Sequence, residues 1–222
     1  MAVLGPSLGP GPRAVIFDLD ETLLDRRGAW QYALEQSVAI GCGRRVDASG
    51  LVDEYRSRPW RHALSIVVDN PADRDRCEAL CAAIFERSAL KRLLVHEGTG
   101  MALDALRGES IEIGVLSREP HALAVKQLQS AGLDRFVAVL AASADGTWDP
   151  GAGITRCLNF LDHRRGECAF VSGDGDDLAM VAALGVRGFE ASWAARETTG
   201  FPPIAEPAAL AATLTSSRRR GR

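Results

Sequence analysis

The feature that most constrains this chain is a short apolar run, Ala14-Val15-Ile16-Phe17, that ends in Asp18-Leu19-Asp20-Glu21-Thr22. Such a run reads as a buried strand. In a strand, positions i and i+2 point to one side, so Asp18 and Asp20 converge where the strand ends. Open α/β sheets bind ligands at the carboxyl ends of their strands. Two crowded carboxylates repel each other and call for a shared proton or a cation. For aspartates the economical partner is a hard divalent ion such as Mg²⁺, held by oxygen. Asp and Thr also cap helices, so the pattern gains its weight from how the rest of the chain answers it.

From about Arg26 to Val95 the sequence is helix-rich. Trp30, Ala33, Leu34 and Val38 recur at helical spacing, and Leu51, Val52 and Tyr55 suggest a second, short helix. Asn70-Pro71 provides an N-cap with proline at the first helical position. It opens a long helix through Cys77, Leu80, Cys81, Ile84 and Phe85 to Leu90. Ser65–Val68 is the block's one strand candidate. After Glu97 strands and helices alternate. A helix over Thr99–Leu106 precedes a strand at Ile111–Leu116 that ends at Ser117, and a helix from Pro120 to Ala131 follows. Further strands are expected at Phe136–Leu140, Cys168–Val171 and Val186–Phe189, with a helix over Gly153–Leu161 and another ending at Leu184. This alternation predicts an α/β fold, a doubly wound parallel sheet, with an α-helical insertion after its first strand. The expected division is a discontinuous core, 13–25 and 96–214, a helical insertion, 26–95, and disordered tails, 1–12 and 215–222.

Two more strand ends carry chemistry. Ser117 and Arg118 stand just before a helix, where a hydroxyl and backbone N–H groups suit a phosphoryl oxygen. Asp174, Asp176 and Asp177 follow the strand Cys168–Val171 beside a glycine-rich turn. Three carboxylates in four residues are costly without a cation or water to neutralise them.

Composition narrows the field. At 222 residues the chain can bury a sizeable core. The formal net charge of −3 shows no general affinity for nucleic acid, and no apolar run is long enough to span a membrane. The Gly/Pro-rich start lacks the features of a signal peptide. Five cysteines without C-x-x-C, and four scattered histidines without H-E-x-x-H, fit a reduced, cytoplasmic setting.

The strand followed by D-x-D-x-T resembles the first motif of the haloacid dehalogenase-like superfamily. The resemblance implies a Rossmann-like core with a helical cap that closes over the site and selects the substrate. It implies that Asp18 attacks phosphorus to form an aspartyl-phosphate, and that Asp20 protonates the leaving oxygen and then activates water. Thr22 holds the loop by hydrogen bonding. Ser117 matches the family's second motif, with Arg118 beside it as a phosphate-binding residue. Asp174 and Asp177 match the acids of the fourth motif, in a loop one residue short, with Asp176 in reserve. The metal set expected is therefore Asp18, Asp20, Asp174 and Asp177 around Mg²⁺. The third motif departs from the family: Thr147, in Gly146-Thr147-Trp148-Asp149-Pro150, stands where the family has a lysine. Lys126 and Arg156 are possible substitutes. The leading expectation is a Mg²⁺-dependent phosphatase of a small phosphorylated metabolite, monomeric or homodimeric, whose activity is weak if no cation replaces that lysine. The rivals are a binding or regulatory protein on the same fold, and a dehalogenase. Trp30, Arg58, Trp60 and Arg61 are candidates for reading the substrate by residue type alone.

Overall fold

A computed structural model describes residues 11–52, 61–143 and 149–219. The elements run β1 (Ala14–Asp18), β2 (Leu24–Asp25), α1 (Arg27–Cys42), α2 (Ser49–Val52), α3 (Arg61–Val67), α4 (Pro71–Arg87), β3 (Leu94–Val95), α5 (Thr99–Gly108), β4 (Glu112–Pro120) and α6 (His121–Ser130). They continue with β5 (Val139–Ser143), α7 (Pro150–Leu161), β6 (Cys168–Ser172), α8 (Gly175–Ala183), β7 (Arg187–Ala191), β8 (Pro203–Ile204) and α9 (Leu210–Arg219). The chain divides into two compact units, one of residues 1–23, 96–121 and 135–222, the other of residues 24–95 and 122–134.

The first unit is built on a sheet in the order β5-β4-β1-β6-β7-β8. Every pairing in it is parallel. All five residues of β1 are buried, as expected of a central parallel strand covered on both faces. Alternation along the strands sorts the core into two layers. Ala14 and Ile16 of β1 join Cys168 and Phe170 of β6 in a cluster with Ile154, Cys157 and Leu158 of α7 and Leu178 and Val181 of α8. Val15, Phe17, Ala169 and Val171 point to the opposite layer. The order places β4 on one side of β1 and β6 on the other, so the chain reverses its direction of growth at β1. That is the topological switch point of a doubly wound sheet, and the ends of β1, β4 and β6 meet there.

The second unit is helical. Asn70 caps α4, its Oδ1 accepting from the N–H groups of Ala72 and Asp73 at 2.9 and 3.2 Å. α1 stops at Gly43, which takes φ +68° and donates to the Ala39 carbonyl, the left-handed ending that glycine permits. Trp30 and Phe85 stack with ring centroids 3.9 Å apart inside the buried cluster. α6 belongs to this unit although the sequence reading puts it with the core. Leu123 packs on the helical cluster, Lys126 pairs with Glu86 and Ser130 donates to the Leu90 carbonyl.

Ser65–Val68, the strand candidate, is helical through Val67. Ala63, Leu64 and Val68 are buried in the helical cluster, and that packing overrides the β-propensity of the apolar run. The strand expected at Phe136–Leu140 begins later, at Val139, because Asp134–Phe136 forms a 3₁₀ turn. α9 continues to Arg219, past residue 214, and buries Leu214 and Thr215. The ribbon β2–β3 and strand β8 have only two residues per strand and leave no periodic trace in the sequence.

Candidate active site

Asp18 is the last residue of β1 and is 3% exposed. Its Oδ2 accepts from Thr22 Oγ1 at 3.4 Å and from Ser172 Oγ, at the end of β6, at 3.4 Å. Its Oδ1 accepts from the Asp20 N–H at 3.3 Å. Burial, then the charges of Asp20 and Asp177, push the Asp18 carboxyl well above the usual carboxylate range, against the pull of Arg118 and the Asp20 N–H. A positive charge close by favours the anionic form of Asp18.

Asp20 is also buried, and its carboxylate is held from β4. Ser117 Oγ lies 3.3 and 3.4 Å from its two oxygens, and the Arg118 N–H donates to Oδ2 at 2.7 Å. The backbone turns sharply here: Glu21 takes φ +69°, and its carbonyl lies 2.9 Å from His96 Nε2.

The third component comes from β6 and the start of α8. Asp174 caps α8, with Oδ1 accepting from the N–H groups of Asp176 and Asp177 at 3.0 and 3.1 Å. Asp177 is 4% exposed, whereas Asp176 is exposed. The Arg118 guanidinium joins the pair: Nη2 donates to Asp174 Oδ2 at 2.7 Å and to Asp177 Oδ2 at 2.9 Å. Burial works against the charge on Arg118, but Asp177, Asp18, Asp174 and Asp20 outweigh it and keep the guanidinium firmly protonated.

The structure thus brings Asp18, Asp20, Ser117, Arg118, Asp174 and Asp177 together at one end of the sheet. Ser172 belongs with them and escaped the sequence reading, because a serine closing a strand gives no distinctive signal. Thr147 lies outside the described residues, as do Arg58 and Trp60. Lys126 is bonded to Glu86 at 2.6 Å, and Arg156 Nη2 donates to the Ala142 carbonyl at 3.4 Å. Trp30 is core, stacked on Phe85.

The donor chemistry fits a hard divalent cation, since Asp18, Asp174 and Asp177 offer only carboxylate oxygens. Among the described residues no three such side chains converge at ligand spacing. Asp174 and Asp177 are turned onto Arg118 instead.

A family profile described as haloacid dehalogenase-like hydrolase matches residues 12–185. The chain belongs to that family. The family's hydrolase chemistry thus applies to a chain whose two aspartates, Asp18 and Asp20, stand at the end of the central strand. No curated protein sequence matches the chain. Among solved structures it resembles a subfamily IA hydrolase of the superfamily from Geobacter sulfurreducens PCA, with TM-score 0.76 and 19% identity over 94% of this chain and 99% of that one. It also resembles a haloacid dehalogenase-like family protein from Streptococcus pneumoniae, with TM-score 0.75 and 12% identity over 90% and 97%. A third likeness is to a protein of Haemophilus somnus 129PT described as a predicted phosphoglycolate phosphatase, with TM-score 0.74 and 12% identity over 91% and 97%. At these identities the likeness is one of fold.

Proposed function

We propose that this hydrolase is a phosphatase of a small phosphorylated metabolite, working through an aspartyl-phosphate on Asp18. The observation that carries the reading is the different environment of two carboxylates two residues apart. Asp18 is buried at the strand end, with Thr22 and Ser172 donating to one of its oxygens. That leaves a positioned oxygen to attack phosphorus. Asp20 is held from the other side by Ser117 and the Arg118 N–H, which suits a group that gives and then takes a proton.

In the first step an Asp18 oxygen bonds to phosphorus, the ester P–O bond breaks and Asp20 protonates the leaving alcohol. In the second, Asp20 removes a proton from water, which attacks the aspartyl-phosphate. Inorganic phosphate leaves and Asp18 is restored. The covalent route replaces one hard displacement with two easier ones. Ser117 and Arg118 are the groups we assign to the phosphoryl oxygens. Asp18, Asp20, Asp174 and Asp177 would hold Mg²⁺, which offsets repulsion between an anionic nucleophile and an anionic phosphoryl group.

A dehalogenase would use Asp18 on carbon and expel halide, which needs neither a proton donor at Asp20 nor a cation. The test is to assay the protein with a generic aryl phosphate and with a 2-haloacid, each with and without Mg²⁺. Mg²⁺-dependent phosphate release without halide release is expected. Halide release alone, indifferent to Mg²⁺, would replace this reading.

A further inference from the structure

Arg118 contributes its backbone N–H to Asp20 and its guanidinium to the acidic pair on α8. Its side chain is 25% exposed, and that of Asp177 is 6% exposed. A carboxylate so buried requires a compensating charge, and Arg118 provides one at hydrogen-bond distance. Asp174 and Asp177 are also among the residues assigned above to Mg²⁺, and Oδ1 of Asp174 is already engaged in capping α8, which leaves its Oδ2, the oxygen that Arg118 holds. A guanidinium and a divalent ion crowded onto the same acidic pair repel each other, so the two cations compete.

We propose that Arg118 is a tethered competitor for the divalent-ion site. Mg²⁺ takes Asp174 and Asp177 by exchange with the guanidinium, and Arg118 thereby sets the cation concentration at which the site fills. The inference rests on the assignment of the acidic pair to the cation. It also gives the chain a positive group at the site, carried by the residue after Ser117. Lys126 and Arg156 are bonded elsewhere, to Glu86 and to the Ala142 carbonyl.

The exchange has a signature opposite to that of structural damage. Disordering the acidic loop would raise the Mg²⁺ concentration needed for half-saturation, whereas removing a competitor lowers it. Only ligands that bind the folded state raise the melting temperature, so thermal unfolding across a Mg²⁺ titration reads the midpoint without reference to activity. Arg118→Met should lower the half-saturating Mg²⁺ concentration at least tenfold. Arg118→Lys should fall between Met and the parent, because an ammonium keeps the charge but lacks the planar fork that grips two carboxylates. In chelating buffer Arg118→Met should melt below the parent, since its carboxylates then repel without a counter-ion. A midpoint in Arg118→Met equal to or above the parent's, beside a clear Mg²⁺ shift in both, overturns the competition and leaves the cation assignment standing. A protein whose melting ignores Mg²⁺ in parent and variant alike overturns both. If Arg118→Met does not fold, Arg118→Lys decides, and a midpoint no lower than the parent's overturns the inference.

Discussion

Gly173 donates its N–H to Thr22 Oγ1 at 3.2 Å, although the two residues are 151 positions apart. The same hydroxyl faces Asp18 Oδ2 at 3.4 Å. One threonine therefore fastens the loop after β6 to the loop after β1 and sets the distance between the two groups of carboxylates. The indole N–H of Trp193 donates to the Thr22 carbonyl at 2.8 Å, anchoring that residue from a third segment.

Thr22→Val removes the hydroxyl and keeps the shape, leaving the Gly173 N–H without its acceptor. A loss of about 1–3 kcal/mol is expected from the unsatisfied donor. In a chain of this size each kcal/mol lowers the melting temperature by about 2–4 °C. Hydrolysis should slow by about tenfold or more, because misplacing reacting groups by even ~1 Å is costly. Thr22→Ser should restore most of both, and melting curves with steady-state rates check the pair.

Gly173 is also needed for space. A Cβ there would lie 2.7 Å from the Ala194 carbonyl carbon and 2.9 Å from its oxygen, and backbone cannot yield as a flexible side chain can. Gly173→Ala should cost about 1–3 kcal/mol, the usual range for overpacking. It should weaken the Mg²⁺-induced thermal shift as well, since Asp174 is the next residue. A variant with parental stability and Mg²⁺ response would show that the loop moves freely.

Glu190 on β7 gives the structure a pH dependence away from the aspartates. Its carboxylate accepts from the Thr199 N–H at 2.7 Å, from Thr199 Oγ1 at 2.8 Å and from Ser192 Oγ at 2.9 Å. The Thr199 N–H, partly offset by burial and helped by the two hydroxyls, holds its carboxyl below the usual glutamate range. With the folded-state value depressed, this stability is present above the unfolded-state value and is lost as pH falls through the folded one. Glu190→Gln should lower the melting temperature at neutral pH, where charge-assisted bonds exceed neutral ones by about 1 kcal/mol. The gap between variant and parent should close in acid. A gap that is constant from neutral pH down would mean the charge plays no part.

Asp20→Asn should slow hydrolysis by about 10²–10⁴-fold, the usual contribution of general acid–base help. Esters with good leaving groups should suffer least, because they need little protonation as the bond breaks. Rates across a series of aryl phosphates of graded leaving-group pKa check this. An equal loss for every ester would remove Asp20 from the role of acid.

The sheet was legible because its central strands are buried on both faces and read as unbroken apolar runs, Ala14–Phe17 and Cys168–Val171. Asp18 and Asp20 stood out because they interrupt such a run two residues apart. Ser65–Val68 misled because its propensity is that of a strand, while packing against the helical cluster holds it as helix through Val67. The ion pairs of Arg118 could not be read at all. Its partners Asp174 and Asp177 lie 56 and 59 residues away, and only the parallel register of β4, β1 and β6 makes them neighbours. Ser172 was hidden for the same reason, since its contact with Asp18 spans 154 positions.

The proposed mechanism requires Asp18 to carry the phosphoryl group. Turnover of an aryl phosphate in the presence of Mg²⁺ can be quenched in acid and the peptides weighed by mass spectrometry. The account predicts one phosphoryl group on the peptide containing Asp18, fragmenting to that residue, and none in Asp18→Asn, which should fold but not turn over. A well-folded Asp18→Asn protein that hydrolyses the ester at the parental rate would contradict it.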